Sequence, residues 1–94
     1  MFYEEPAHPK IAKLITFKST VEARASIPKL RAMFNKGSKS DKLVILRAVQ
    51  LAANRAKVML KKKNLKPETR KRLRTIARIY EDFSEELERK YNAS

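Results

Sequence analysis

Between Lys57 and Arg78 the chain carries ten basic side chains: Lys57, Lys61, Lys62, Lys63, Lys66, Arg70, Lys71, Arg72, Arg74 and Arg78. Only Glu68 opposes them. Ammonium and guanidinium groups at this density neutralise phosphates and release condensed counterions, and Arg bridges two phosphate oxygens at once. The run sits against local preference. Basic residues opening a helix face the positive end of its dipole, and Arg70, Arg74 and Arg78 are like charges four residues apart. A sequence that keeps such frustration has a use for the field. These ten residues are the candidate nucleic-acid contacts.

The whole chain of 94 residues is basic, with a net charge of +13. The charge is uneven: residues 1–40 carry +5, residues 41–80 carry +11 and residues 81–94 carry −3. Self-repulsion on this scale points to a polyanionic partner. A Lys-rich thermophilic surface is the competing account, but that enrichment raises both signs together, and here 23 basic residues face 10 acidic ones. The paucity of Gln and absence of Cys still fit a hot habitat.

Sequence-specific reading has weaker support. The segment around Gly37 has the layout of a helix-turn-helix, but its second helix is apolar on most faces, whereas a recognition helix presents polar side chains to base edges. Nor do aromatic residues interleave the basic run to stack single-stranded bases, because Tyr80 and Phe83 fall on an apolar stripe.

Other chemistry is poorly provided for. With no Cys, neither a disulfide nor a thiolate metal site is available. The sole His, His8, lies between two prolines, and no Gly-rich phosphate loop is present. The expectation is a protein that is not an enzyme, with no cofactor, no metal and no small-molecule substrate. The acidic run Glu81, Asp82, Glu85, Glu86 and Glu88 reads as a solvated helix face; Glu81, Asp82, Glu85 and Glu86 are its candidates for docking a larger protein. Phe2 and Tyr3 are further docking candidates, as aromatic anchors in an N-terminal arm. No apolar run is long enough to span a membrane, and the opening residues lack the pattern of a signal peptide, so a cytoplasmic location is expected.

The elements that must position the charge are helical. The fold class expected is all-α: a compact four-helix bundle with a long antiparallel C-terminal helical hairpin. Residues 1–8 are expected to form a flexible arm, 9–91 a single bundle domain and 92–94 a frayed tail. A first helix opens at Pro9 and carries Ile11, Leu14, Ile15, Lys18, Val21 and Ala25 at helical spacing, with a kink or early end near Ser19. Ser26-Ile27-Pro28 reads as a break with Ser26 as a new N-cap, and the short second helix buries Leu30, Met33 and Phe34. Gly37 is then a left-handed helix terminator, and Ser38 to Asp41 cap a central helix over residues 42–63. That helix is apolar around most of its girth, as a helix packed on several sides would be. Pro67 opens a last helix whose stripe is Leu73, Ile76, Ala77, Tyr80, Phe83, Ser84, Leu87 and Tyr91. Alanines on the central helix permit its close approach.

The stretch KVMLKKKNLKPETRKRLRTIARIYEDF, from Lys57 to Phe83, together with the size and the all-helical reading, resembles the small Lys-rich helical accessory proteins of crenarchaea. Among these it is similar to the small basic subunit that accompanies the replicative B-family DNA polymerase holoenzyme. The resemblance implies a non-catalytic subunit touching both DNA and a larger protein, and it assigns no individual residue a role. From the residues themselves, the expected partner is nucleic acid, DNA ahead of RNA, with no membrane. A protein-interaction subunit meeting an acidic partner is the alternative.

Overall fold

The computed structural model describes residues 9–93. They form an all-α bundle of four helices: α1 (Pro9–Leu14), α2 (Thr20–Lys36), α3 (Lys39–Leu60) and α4 (Pro67–Ala93). No strand occurs among the described residues, and none of their helices is long and apolar enough to cross a membrane. The 27 residues of α4 set the long dimension of the fold, 41 Å, as the ~1.5 Å rise per residue requires.

Helix α4 is the backbone of the packing, and its most extensive contact is with α3. Its stripe Leu73, Ile76, Ala77, Tyr80, Phe83, Ser84 and Leu87 is buried as the spacing predicts, and Tyr91 is half-buried. Facing it, Ala52, Ala53 and Ala56 of α3 are buried and small enough to admit the bulky rings of α4. Leu30 and Phe34 of α2 complete the core, with Met33 half-buried beside them.

The first half of the chain departs from the expected boundaries. Helix α2 begins at Thr20, capped by Ser19, whose Oγ accepts the Glu22 amide at 3.1 Å. Ser19-Thr20-Val21-Glu22 is itself a capping sequence, Ser followed three residues later by Glu. Ser26 is therefore no N-cap. It lies buried in mid-helix, and its Oγ donates back to the Ala23 carbonyl at 2.7 Å. Pro28 sits inside α2 and withholds a bond from the Arg24 carbonyl, but Arg24 is exposed and water can take that bond. Val21 and Ala25, expected on an apolar stripe, face solvent for the same reason: the helix is set by its cap and by Leu30 and Phe34.

Helix α3 is also shifted. It starts at Lys39 and ends at Leu60, so Lys61, Lys62 and Lys63 belong to the turn and not to a helix. Nor is it buried all round. Val44, Leu51 and Val58, seven residues apart, remain exposed, because no other helix among the described residues reaches that side. The cap itself is a full capping box: Ser38 Oγ accepts the Asp41 amide, and an Asp41 carboxylate oxygen accepts the Ser38 amide, each at 3.2 Å. At the other end of the chain, α4 continues through Asn92 and Ala93.

Gly37 is not left-handed; its φ of −77° suits any residue. Its role is space. A Cβ there would stand 2.8 Å from Asp41 Cβ and 3.1 Å from the Met33 carbonyl oxygen. Gly37→Ala should lower stability, although the backbone angle alone would favour Ala by about 0.4–1 kcal/mol. A rise in the urea midpoint on that substitution would contradict the crowding argument.

Tyr80 joins the two halves. It is fully buried, and its hydroxyl accepts the Thr16 amide and donates to the Thr16 carbonyl, both at 2.9 Å. Phe17 meets the same ring edge-on, with centroids 6.1 Å apart. Tyr80→Phe should cost about 1–3 kcal/mol, because it strands two half-buried backbone groups. Urea unfolding should show a lower midpoint at unchanged slope, with faster hydrogen exchange at the Thr16 amide as the local signature.

Candidate nucleic-acid interface

The α3–α4 turn and the first half of α4 assemble the charge. Lys61, Lys62, Lys63 and Lys66 lie in the turn, and Lys71, Arg72, Arg74 and Arg78 follow on α4; all eight are exposed. Among the described residues none of these eight side chains is held in an ion pair. Lys71, Arg74 and Arg78 recur at steps of three and four and so share the outer face of α4. Arg72 looks toward the other flank, next to Leu73 and Thr69 in a groove described below.

Two of the ten sequence candidates have work inside the fold. Lys57 Nζ pairs with Glu81 Oε2 at 2.7 Å, bridging α3 and α4. Arg70 is half-buried, and its guanidinium donates to the Leu60 carbonyl at 3.2 Å and the Lys62 carbonyl at 3.4 Å. The Leu60 carbonyl lies at the end of α3, where acceptors lack intrahelical partners and the dipole favours a cation, and the Lys62 carbonyl lies in the turn just beyond. Arg70 therefore clamps the turn that displays the lysines. The like-charge cost of Arg70 beside Arg74 is offset by that cap.

The acidic half of α4 is likewise partly engaged. Glu86 receives a two-pronged contact from Arg31 of α2, Nε to Oε2 at 2.6 Å and Nη2 to Oε1 at 2.8 Å, and Lys90 adds an ion pair at 3.4 Å. The same guanidinium lies 5.4 Å from the centre of the Phe83 ring. Of the four acidic docking candidates, Glu81 and Glu86 thus face internal partners, while Asp82 and Glu85 are exposed. Phe2 and Tyr3 lie outside the described residues.

The fold adds a cation that sequence spacing does not reveal. Arg24 of α2 lines a cleft of about 440 Å³ with Arg74, Thr75, Arg78, Ile79 and Asp82 of α4. Three guanidiniums against one carboxylate make it an anion-attracting cleft continuous with the outer face of α4. Arg24 and Arg74 are fifty positions apart, so only the docking of α2 on α4 unites them.

A second groove, of about 500 Å³, opens beside the turn. Ile15, Phe17, Met59, Leu65 and Leu73 line it, with the exposed Lys18, Lys62 and Arg72 also on its walls. Phe17 brings an aromatic ring to the basic end, which the linear sequence of the basic run lacks. Its position follows from the Tyr80 bonds to Thr16.

No family model, curated protein or solved structure matches the chain. The functional reading therefore rests on charge and shape.

The Arg31 hydrogen bonds hold the Glu86 carboxyl below its ordinary value of 4.5, against the opposing effect of burial and with help from Lys90. A lowered carboxylate contributes stability that is complete above pH 4.5 and is lost as pH falls through the lowered value. The pair is partly exposed, which limits its worth to on the order of 0.5–1 kcal/mol. Glu86→Gln should remove that amount at pH 7 and flatten the loss of stability below pH 4.5, as read by urea midpoints across a pH series. Parallel curves for the two proteins would rule out a contribution from this pair.

Proposed function

We propose that this chain is a non-catalytic nucleic-acid-binding protein that engages backbone phosphates through the tip of an antiparallel hairpin of α3 and α4. The observation that carries the reading is the set of eight exposed cations from Lys61 to Arg78, in no ion pair among the described residues, on two adjoining elements. The tip gathers positive charge while Glu81 and Glu86 of α4 pair with Lys57, Arg31 and Lys90. Arg24 extends the same field along the α2 side. Contacts of this kind fix position on the backbone and carry no base sequence. The likeness of residues 57–83 to the small basic subunit of a B-family polymerase holoenzyme supports a role as an accessory subunit in DNA replication, with exposed Asp82 and Glu85 open to a larger protein partner.

Engagement of four to six phosphates should give a log–log salt slope of roughly −4 to −5 on duplex DNA. Replacing Lys61, Lys62, Lys63, Lys71, Arg72 and Arg74 with Gln should weaken binding and flatten that slope, with helical content unchanged. Arg70→Gln should act differently, lowering stability first, because its partners are carbonyls of the fold. Salt-independent binding, or full binding by the six-residue variant, would refute the assignment.

A further inference from the structure

The groove beside the α3–α4 turn draws its walls from separate parts of the chain. Phe17 and Lys18 come from the α1–α2 connection, Met59 from the last turn of α3, Lys62 and Leu65 from the turn, and Arg72 from α4. At about 500 Å³ it has the size of pockets that hold small organic groups. Its lining is chiefly apolar, no acidic residue among the described residues lines it, and three cations stand on it. The ligand chemistry that satisfies both features is a flat, largely apolar group tethered to negative charge. A duplex turns its bases inward and offers only phosphates here, whereas a single strand presents a base face and its phosphates together.

We propose that this groove receives an unpaired nucleobase of a single-stranded nucleic acid, seated against Phe17, with the flanking phosphates on Lys18, Lys62 and Arg72. The inference rests on the nucleic-acid reading above and adds to it a preference for unpaired strand. Preorganisation favours it. The two bonds from Tyr80 fix the Thr16 backbone, and the edge-on contact with Tyr80 orients the Phe17 ring, so little order remains to be imposed on binding. The site lies among cations that already concentrate the strand, since Lys62 and Arg72 belong to both features.

The test uses the intact chain and fluorescence anisotropy at fixed moderate salt. The probes are an oligothymidine of about twelve nucleotides, an abasic strand of equal length, a duplex and a polyglutamate of matching charge. A base stacked on an aromatic ring should make oligothymidine bind about 5- to 100-fold more tightly than the abasic strand. Phe17→Leu, which keeps apolar bulk under Tyr80, should erase that ratio while leaving duplex affinity and salt slope unchanged. As an independent readout on the unmodified protein, a strand carrying 5-iodouracil should photocrosslink to the segment of residues 15–18. Equal affinity for oligothymidine, abasic strand and polyglutamate would overturn the proposal, as would crosslinks confined to other segments. If the salt slope on duplex persists in that case, phosphate binding stands and only the base site falls. Failure of every nucleic-acid probe to bind would overturn both.

Discussion

One phenol hydroxyl holds the molecule's two halves in register. Tyr80 is the largest fully buried side chain, and its hydroxyl finds both backbone groups of a single residue, Thr16, 64 positions away. The 15–19 segment is not helical, so its amide and carbonyl have no ladder of their own and need a partner when half-buried. The tyrosine supplies it and keeps its own polar atom satisfied, and no buried side-chain nitrogen or oxygen among the described residues is left without a partner. The start of α2 follows from this anchor, since Ser19 caps the helix three residues further on. So does the placement of Phe17 and Lys18 beside the α3–α4 turn.

The charge of α4 is divided with the same economy. Two of its acids are met by cations from the neighbouring helices and from its own last turns: Lys57 of α3 with Glu81, Arg31 of α2 with Glu86, and Lys90 with Glu86. Surface pairs of this kind are each weak. Together they still determine where positive charge is left over. It is left over at the α3–α4 turn, where Arg70 is turned inward to the α3 carbonyls and the lysines are turned outward. The neighbouring basic positions thus divide between cap and display.

Much of this was legible in the sequence, for reasons that differ along the chain. The α4 stripe repeats at three and four over many turns, and burial followed it closely. The Ser38–Asp41 cap was local enough to read. Errors arose where two local signals competed. Ser26-Ile27-Pro28 imitates a helix start, but Ser19 with Glu22 provided the real one, and tertiary packing of Leu30 and Phe34 carried α2 through Pro28. Apolar composition does not say how many neighbours are available to α3, and Val44, Leu51 and Val58 stay exposed. At the basic end, types and density were visible, but not the internal bonds of Lys57 and Arg70, nor the arrival of Arg24 and Phe17 from remote segments.

These remote arrivals change what a basic tip can do. A row of lysines on a turn offers only charge, and charge alone draws any polyanion with little discrimination. An apolar recess with an aromatic wall, set among two of the same cations and Lys18, adds contact that depends on the ligand's shape as well as its charge. The recess costs little extra order, because the core tyrosine that holds the helices together is the group that positions its wall. The stability of the bundle and the shape of the recess therefore share one residue here. Loss of the Tyr80 hydroxyl would loosen the groove before it unfolded the bundle, since the bonds it makes are to the connection alone, whereas its ring remains part of the hydrophobic core.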